Sequence, residues 1–143
     1  MSTSNIKMSV QATGPGLDLT ISVNGATIYQ EQPTTDAVIV SHDFPDVDGN
    51  EFVLSIELAG KNETHTVVDD EGNITSDVLV TITGFELDGV DVTHLVQQKA
   101  RYTHDFNGSQ EVTVDQFFGD MGCNGRVEFA WTSPVYVWLL ENN

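Results

Sequence analysis

Two stretches of this chain alternate apolar and polar residues with a period of two. Leu17, Leu19, Ile21 and Val23 are separated by Asp18, Thr20 and Ser22. Phe52, Leu54, Ile56 and Leu58 are separated by Val53, Ser55 and Glu57. Successive side chains of an extended strand point to opposite faces, so each stretch reads as a strand with one covered face and one wetter face. A helix would scatter the same apolar residues around its circumference. Asn24-Gly25 follows the first stretch directly, and that dipeptide is the strongest short hairpin signal there is.

The rest of the chain repeats the theme. Strands are expected over Ile6–Gln11, Ala26–Gln30, Val38–Val40, Thr64–Val68, the Val78, Val80 and Ile82 run, Phe85–Val92, Arg101–Phe106, Glu111–Phe118, Arg126–Thr132 and Val135–Leu140. Turn residues punctuate them: Gly14-Pro-Gly16, Pro33-Thr-Thr35, a Phe44–Asn50 loop, Gly60-Lys-Asn62 and Asp69-Asp-Glu-Gly-Asn73. Thr93–Gln98 is the one plausible helical turn, with Thr93 as its N-cap. Short strands at this spacing predict an antiparallel all-β sandwich or barrel. With no linker or internal repeat, residues 1–143 form one domain, long enough to bury a core unaided.

Charge removes several function classes. The chain carries 22 acidic and 5 basic side chains, a net charge of −17. Nucleic acid is not expected as a partner, because binding there rests on Lys and Arg neutralising phosphates. An anionic membrane surface is not expected as a partner on the same ground, and the longest apolar run, Val135–Leu140, is too short to span a bilayer. A single cysteine, Cys123, permits no internal disulfide. The first residues lack an apolar signal-peptide core, so synthesis in a cytoplasm without a signal peptide is expected.

Heavy side chains concentrate near the end. Eight of the twelve aromatic residues lie between Tyr102 and Trp138, among them both tryptophans. Read as a strand, Val135–Leu140 is apolar on both faces, so a loop, another subunit (a homo-oligomer included) or a ligand should cover the second face.

No catalytic constellation emerges. Ser41-His42-Asp43 spells a triad in order, but adjacent side chains of a strand face opposite ways and a triad is defined by geometry. The four histidines lack metal-ligand spacing. Asp46, Asp48, Asp69 and Asp70 sit in two Asp-Gly-Asn turns that resemble fragments of calcium loops, and they are the candidate ligands if calcium binds. Neither turn carries the full EF-hand pattern. Gly119-Asp-Met-Gly-Cys-Asn-Gly125 lacks the Lys-Ser/Thr ending of a phosphate loop, and its glycines are expected to permit positive φ in a tight connection. Tyr102, Trp131, Tyr136 and Trp138 are the candidates for a subunit interface or a sugar-stacking platform; aromatic rings also dominate core packing.

Two resemblances follow from particular residues. From Gly14 to His104, the run Gly16-Leu-Asp-Leu-Thr-Ile-Ser-Val-Asn-Gly25 and the later Val78-Leu-Val-Thr-Ile-Thr-Gly-Phe-Glu-Leu-Asp-Gly-Val90 resemble jelly-roll carbohydrate-binding modules of the xylan-binding, calcium-dependent kind. That likeness implies a jelly-roll sandwich and, more remotely, a glycan partner; the family's aromatic and Asn/Asp ligand loop has no counterpart here. The second likeness covers most of the chain. Tyr102-Thr-His-Asp-Phe-Asn-Gly108, Gly122-Cys-Asn-Gly125 and Pro134-Val-Tyr-Val-Trp-Leu-Leu-Glu-Asn142 resemble small virion structural proteins of marine tailed phages, cyanophages in particular. It implies a non-enzymatic capsid (head) decoration or accessory protein located in the virion, contacting the major capsid protein or tail proteins. A tail or fibre component and a carbohydrate-binding module are the alternatives.

Overall fold

The computed structural model describes residues 3–61, 66–104 and 111–142, with the side chains of 75 and 76 left aside. Among these residues the chain forms, in order, β1 (Thr3–Ala12), β2 (Asp18–Val23), β3 (Ala26–Glu31), β4 (Val38–Pro45), β5 (Glu51–Ala59), β6 (Thr66–Val68), β7 (Ile74–Asp77), β8 (Val80–Leu87), β9 (Val90–Asp91), α1 (Thr93–Lys99), β10 (Arg101–His104), β11 (Thr113–Gln116), β12 (Asp120–Met121), β13 (Gly125–Thr132) and α2 (Val135–Asn142). The expected Thr64–Val68, Arg101–Phe106 and Glu111–Phe118 strands appear in part; the ends at 64–65 and 105–106 lie outside the described residues. So do Asn62 and the expected Gly60–Asn62 turn's last position.

Two antiparallel sheets pack as a sandwich. One runs β12-β8-β1-β4 with β9 beside β8, and the other runs β11-β10-β13-β5-β2-β3. β6 and β7 form a separate two-stranded ribbon. The period-two stretches do what their pattern dictates. Leu19, Ile21 and Val23 of β2 and Phe52, Leu54, Ile56 and Leu58 of β5 are all buried, and the two strands lie side by side with Ile21 opposite Ile56. Each such side chain contributes about 1.5–3 kcal/mol on burial.

Two turns set the register. Asn24 (φ 49°) and Gly25 (φ 82°) both take the left-handed backbone that a two-residue hairpin requires. Asn24 then grips β5: its Oδ1 accepts the Val53 N–H at 2.8 Å and its Nδ2 donates to the Glu51 carbonyl at 3.0 Å. In β8 the inward residues change parity, from Val80 and Ile82 to Phe85 and Leu87. Gly84, at φ 64°, takes up the extra residue, and the pairing of β1 with β8 shifts there. Such a bulge re-aims every side chain beyond it.

Three local expectations need correction. Val135–Leu140 is a helix, not a strand. Its apolar residues also fit a helical stripe: Val135 and Trp138 are buried, Leu139 is partly buried against the core, and Tyr136 and Leu140 point outward. Pro134 immediately precedes the helix, and its carbonyl accepts the Trp138 N–H at 3.1 Å. The start is capped from afar, by the Asp46 Oδ1 accepting the Val135 N–H at 3.0 Å. Helix α1 starts after Val92 with no side-chain cap from its N-cap residue, so Thr93 is not the N-cap. Asp91 performs that task by accepting the Thr93 N–H at 2.9 Å. Finally, Phe44 belongs to β4 rather than to a loop, and it is buried on Phe52 and Trp131 with ring centroids 4.7 and 5.4 Å away.

Candidate functional site

The aromatic residues divide sharply. Trp131 lies on the inner row of β13 with Val127 and Phe129, 1% exposed. Its ring stacks on Phe52 and Phe129 at 5.5 and 6.0 Å. Trp138 reaches the same cluster from α2, edge-on to Phe129 at 5.8 Å. Tyr102 is buried in β10, where its hydroxyl donates to the Cys123 carbonyl and accepts the Cys123 N–H at 3.0 Å. Burial pushes its phenol well above the ordinary range. Trp131 and Trp138 close the core, Tyr102 braces the Gly119–Gly125 loop through Cys123, and burial leaves none of the three a face for stacking on a sugar. Tyr136 is the exception at 67% exposed.

Tyr136 stands in an apolar surface that the sequence alone did not assemble. With Leu139 and Leu140 from α2 and Val90 from β9 it lines a shallow cleft of about 440 Å³. Leu140 is 78% exposed. All four lining residues are apolar or aromatic, so the surface is suited to contact rather than to chemistry. The signal available in the sequence was Pro134 followed by apolar residues three and four apart, which is a helix start with a stripe.

A second cleft, its lining mixing charged side chains with Leu58, Ala59 and Val112, lies over the outer face of the six-stranded sheet. Thr103, Arg126 and Glu57 sit opposite one another on β10, β13 and β5. With Glu128, Asn124 and Val112 they border a cleft of about 560 Å³. Arg126 donates to Glu57 at 3.0 Å, with both side chains half exposed. At one end His104 meets Asp115 at 2.6 Å. The lining holds hydrogen-bonding and charged groups and no Phe, Tyr or Trp among the described residues.

The other candidates do not converge. Ser41 and His42 face opposite sides of β4: His42 follows the inward row of Val40 and Phe44, while Ser41 and Asp43 both accept from Asn5 Nδ2 on the outside at 2.8 Å. Asp46 and Asp48 lie before β5, and Asp69 and Asp70 lie in the turn between β6 and β7. The nine residues of β5 put roughly 26 Å between its two ends, at about 3.3 Å per residue. Asp46 is committed to the cap of α2. Asp69 accepts the N–H groups of Glu71 and Asn73, both at 2.9 Å, as a turn residue. Among the described residues no group of three or more His, Cys, Asp or Glu side chains is disposed to hold a metal. None of the described helices is long and apolar enough to cross a membrane.

The glycine-rich loop also departs from expectation. Gly119 alone of its three glycines has a positive φ, 108°. Gly125 is needed for a close approach instead: a Cβ there would lie 2.3 Å from the Thr103 carbonyl oxygen. Below it, Lys61 is buried, pairs with Asp77 at 2.5 Å and also donates to the Val78 carbonyl. Burial pushes the Asp77 carboxyl up, but hydrogen bonds from Lys61 and Thr66, the Lys61 charge and the Val78 N–H outweigh it and hold the group below its ordinary value. Asn124 and Lys61 exchange hydrogen bonds at 2.8 and 3.0 Å, tying this corner to the loop. No protein-family model, curated protein or solved structure matches the chain.

Proposed function

We propose that this chain is a non-enzymatic structural protein of a phage virion, a capsid decoration or accessory protein that acts by contact with other virion subunits such as the major capsid protein. The observation that carries the reading is the exposed apolar surface of Tyr136, Leu139, Leu140 and Val90. Apolar area left in water on a molecule of net charge −17 is costly unless something covers it. Three of its four residues, Tyr136, Leu139 and Leu140, fall within the segment whose likeness to marine phage virion proteins is strongest, Pro134–Asn142. A tail or fibre position uses the same surface. Mass spectrometry of intact particles and of separated heads and tails tests the reading and its variant. The chain should co-purify with heads at constant copy number; recovery with tails alone selects the variant, and absence from particles ends both.

The sandwich supports a jelly-roll assignment through its pairings. A jelly roll is a two-stranded ribbon wrapped so that successive rungs alternate between sheets. Here β2·β3, β1·β4, β5·β13 and β8·β12 form four such rungs, alternating between the six-stranded and five-stranded sheets. The chain ends fall between the second and third rungs, as in a circular permutation of the wrapped ribbon.

The cleft where Glu57, Arg126, Glu128, Thr103 and Asn124 stand beside Val112 and Ala59 favours a second reading, a carbohydrate-binding module. Hydroxyl-rich ligands match such a lining, while the lack of an aromatic platform weighs against tight binding. Glycan-array binding lost in Arg126→Ala supports it; silence across marine polysaccharides, with and without calcium, removes it.

A further inference from the structure

Both sheets end on the same side of the sandwich in unpaired edges. Among the described residues, β4 pairs with β1 alone and β3 with β2 alone. Between them opens a cleft of about 410 Å³, lined by Ile28, Tyr29, Glu31, Val38, Ile39 and Val40 among others. Ile28 and Tyr29 are half-buried against the core, so the seam leads to apolar surface. Natural edges are blunted with charged side chains, proline, bulges or short length. β4 carries such devices only at its end, Asp43 and Pro45. It runs eight residues, pairs with β1 in unbroken register from Thr3 opposite Pro45 to Val10 opposite Val38, and exposes Val38 and Ile39 at 43% and 61%.

Charge identifies what fits. From Met8 to Gly60 the sequence holds eight Asp or Glu residues and no Lys or Arg. That stretch builds β2, β3, β4 and β5, so the β3–β4 edge carries acidic side chains and no basic ones of its own; the neighbouring strands bring Lys7 opposite Ser41 and Arg126 opposite Glu57. A second copy of the chain brings another −17 and is repelled at low ionic strength.

We infer that the seam between β3 and β4 receives an extended segment of a partner protein in which apolar residues alternate with Lys or Arg. The segment adds to β4 as an extra strand. Its main chain pairs with the free edge, alternate apolar side chains enter the cleft, and its cations lie on the outer face, the face of Asp43. The inference stands on the seam and its charge, whether or not the partner belongs to a virion.

The test uses the full chain and a labelled short peptide of alternating Lys and Val, followed by fluorescence anisotropy. Its controls are a peptide of the same composition with the lysines in one block, and an alternating Glu-Val peptide. The alternating Lys-Val peptide should bind at least about tenfold more tightly than either control, weaken with added salt, and protect the Val38–Phe44 amides from hydrogen exchange. Ile39→Lys and, independently, Val38→Lys should each lower its affinity about tenfold without moving the unfolding midpoint. Equal affinity for the block peptide reduces the effect to bulk charge and overturns the inference. So does exchange protection elsewhere, or insensitivity to both edge substitutions.

Discussion

Replacing Gly125 by alanine tests the packing of β10 on β13. The added Cβ would meet the Thr103 carbonyl oxygen at 2.3 Å, the His104 Cβ at 2.9 Å and the Tyr102 Cε1 at 3.0 Å. Ordinary contact begins at 3.4 Å, so β10 must retreat by about 1 Å, enough to break a ladder hydrogen bond. One or two such bonds cost about 1 kcal/mol each, and overpacking adds about 1–3 kcal/mol. The expected loss is about 2–5 kcal/mol, equivalent to roughly 6–15 °C in Tm for a chain of this size. Guanidinium unfolding followed by fluorescence of Trp131 and Trp138 measures it, with an unchanged slope. Gly122→Ala is the control from the same loop: its Cβ would have only Asp77 Oδ2, at 4.0 Å, within reach, and should cost under about 0.5 kcal/mol. Equal effects at the two positions would refute the close-approach account of Gly125.

Trp131→Ala should cost about 3–5 kcal/mol, whereas Trp131→Phe should cost under about 2 kcal/mol, because the deleted indole N–H has no hydrogen-bond partner among the described residues; chemical denaturation separates them. Asp77→Asn should be more damaging than Lys61→Met, about 3 against 1–2 kcal/mol, since the first strands a buried ammonium and the second leaves a carboxylate whose side chain is 30% exposed. Because the folded Asp77 carboxyl titrates below its ordinary value of 3.8, its contribution is complete above that pH and disappears as pH falls through the lower folded value; acid unfolding of wild type and Asp77→Asn should converge there. Tyr136→Ser combined with Leu140→Ser should leave stability within about 0.5 kcal/mol while abolishing co-purification with particles.

The strands were legible where one face is core and the other is not. β2, β5 and the Asn24-Gly25 hairpin followed from alternation and turn chemistry, because both signals are local. Helix α2 was not legible because Val, Tyr and Trp favour strands by type, and because its cap, Asp46, is 89 residues away in sequence. Its two apolar faces therefore read as a strand covered on both sides, when one side is a helix stripe and the other is open surface. The same tertiary dependence hid the candidate sites. Val90 joins Tyr136 and Leu140 only through the fold, and Glu57 meets Arg126 only through the β5–β13 register. Composition placed the aromatic weight correctly near the end of the chain, but it could not say that Trp131 and Trp138 turn inward while Tyr136 turns outward.

Quantitative mass spectrometry of purified particles, compared with the lysate that produced them, bears most directly on the proposed function. A virion structural protein is retained through particle purification at a fixed ratio to the major capsid protein, and loses that retention when Tyr136 and Leu140 are both replaced by serine. A chain abundant in the lysate and absent from the particles contradicts the account.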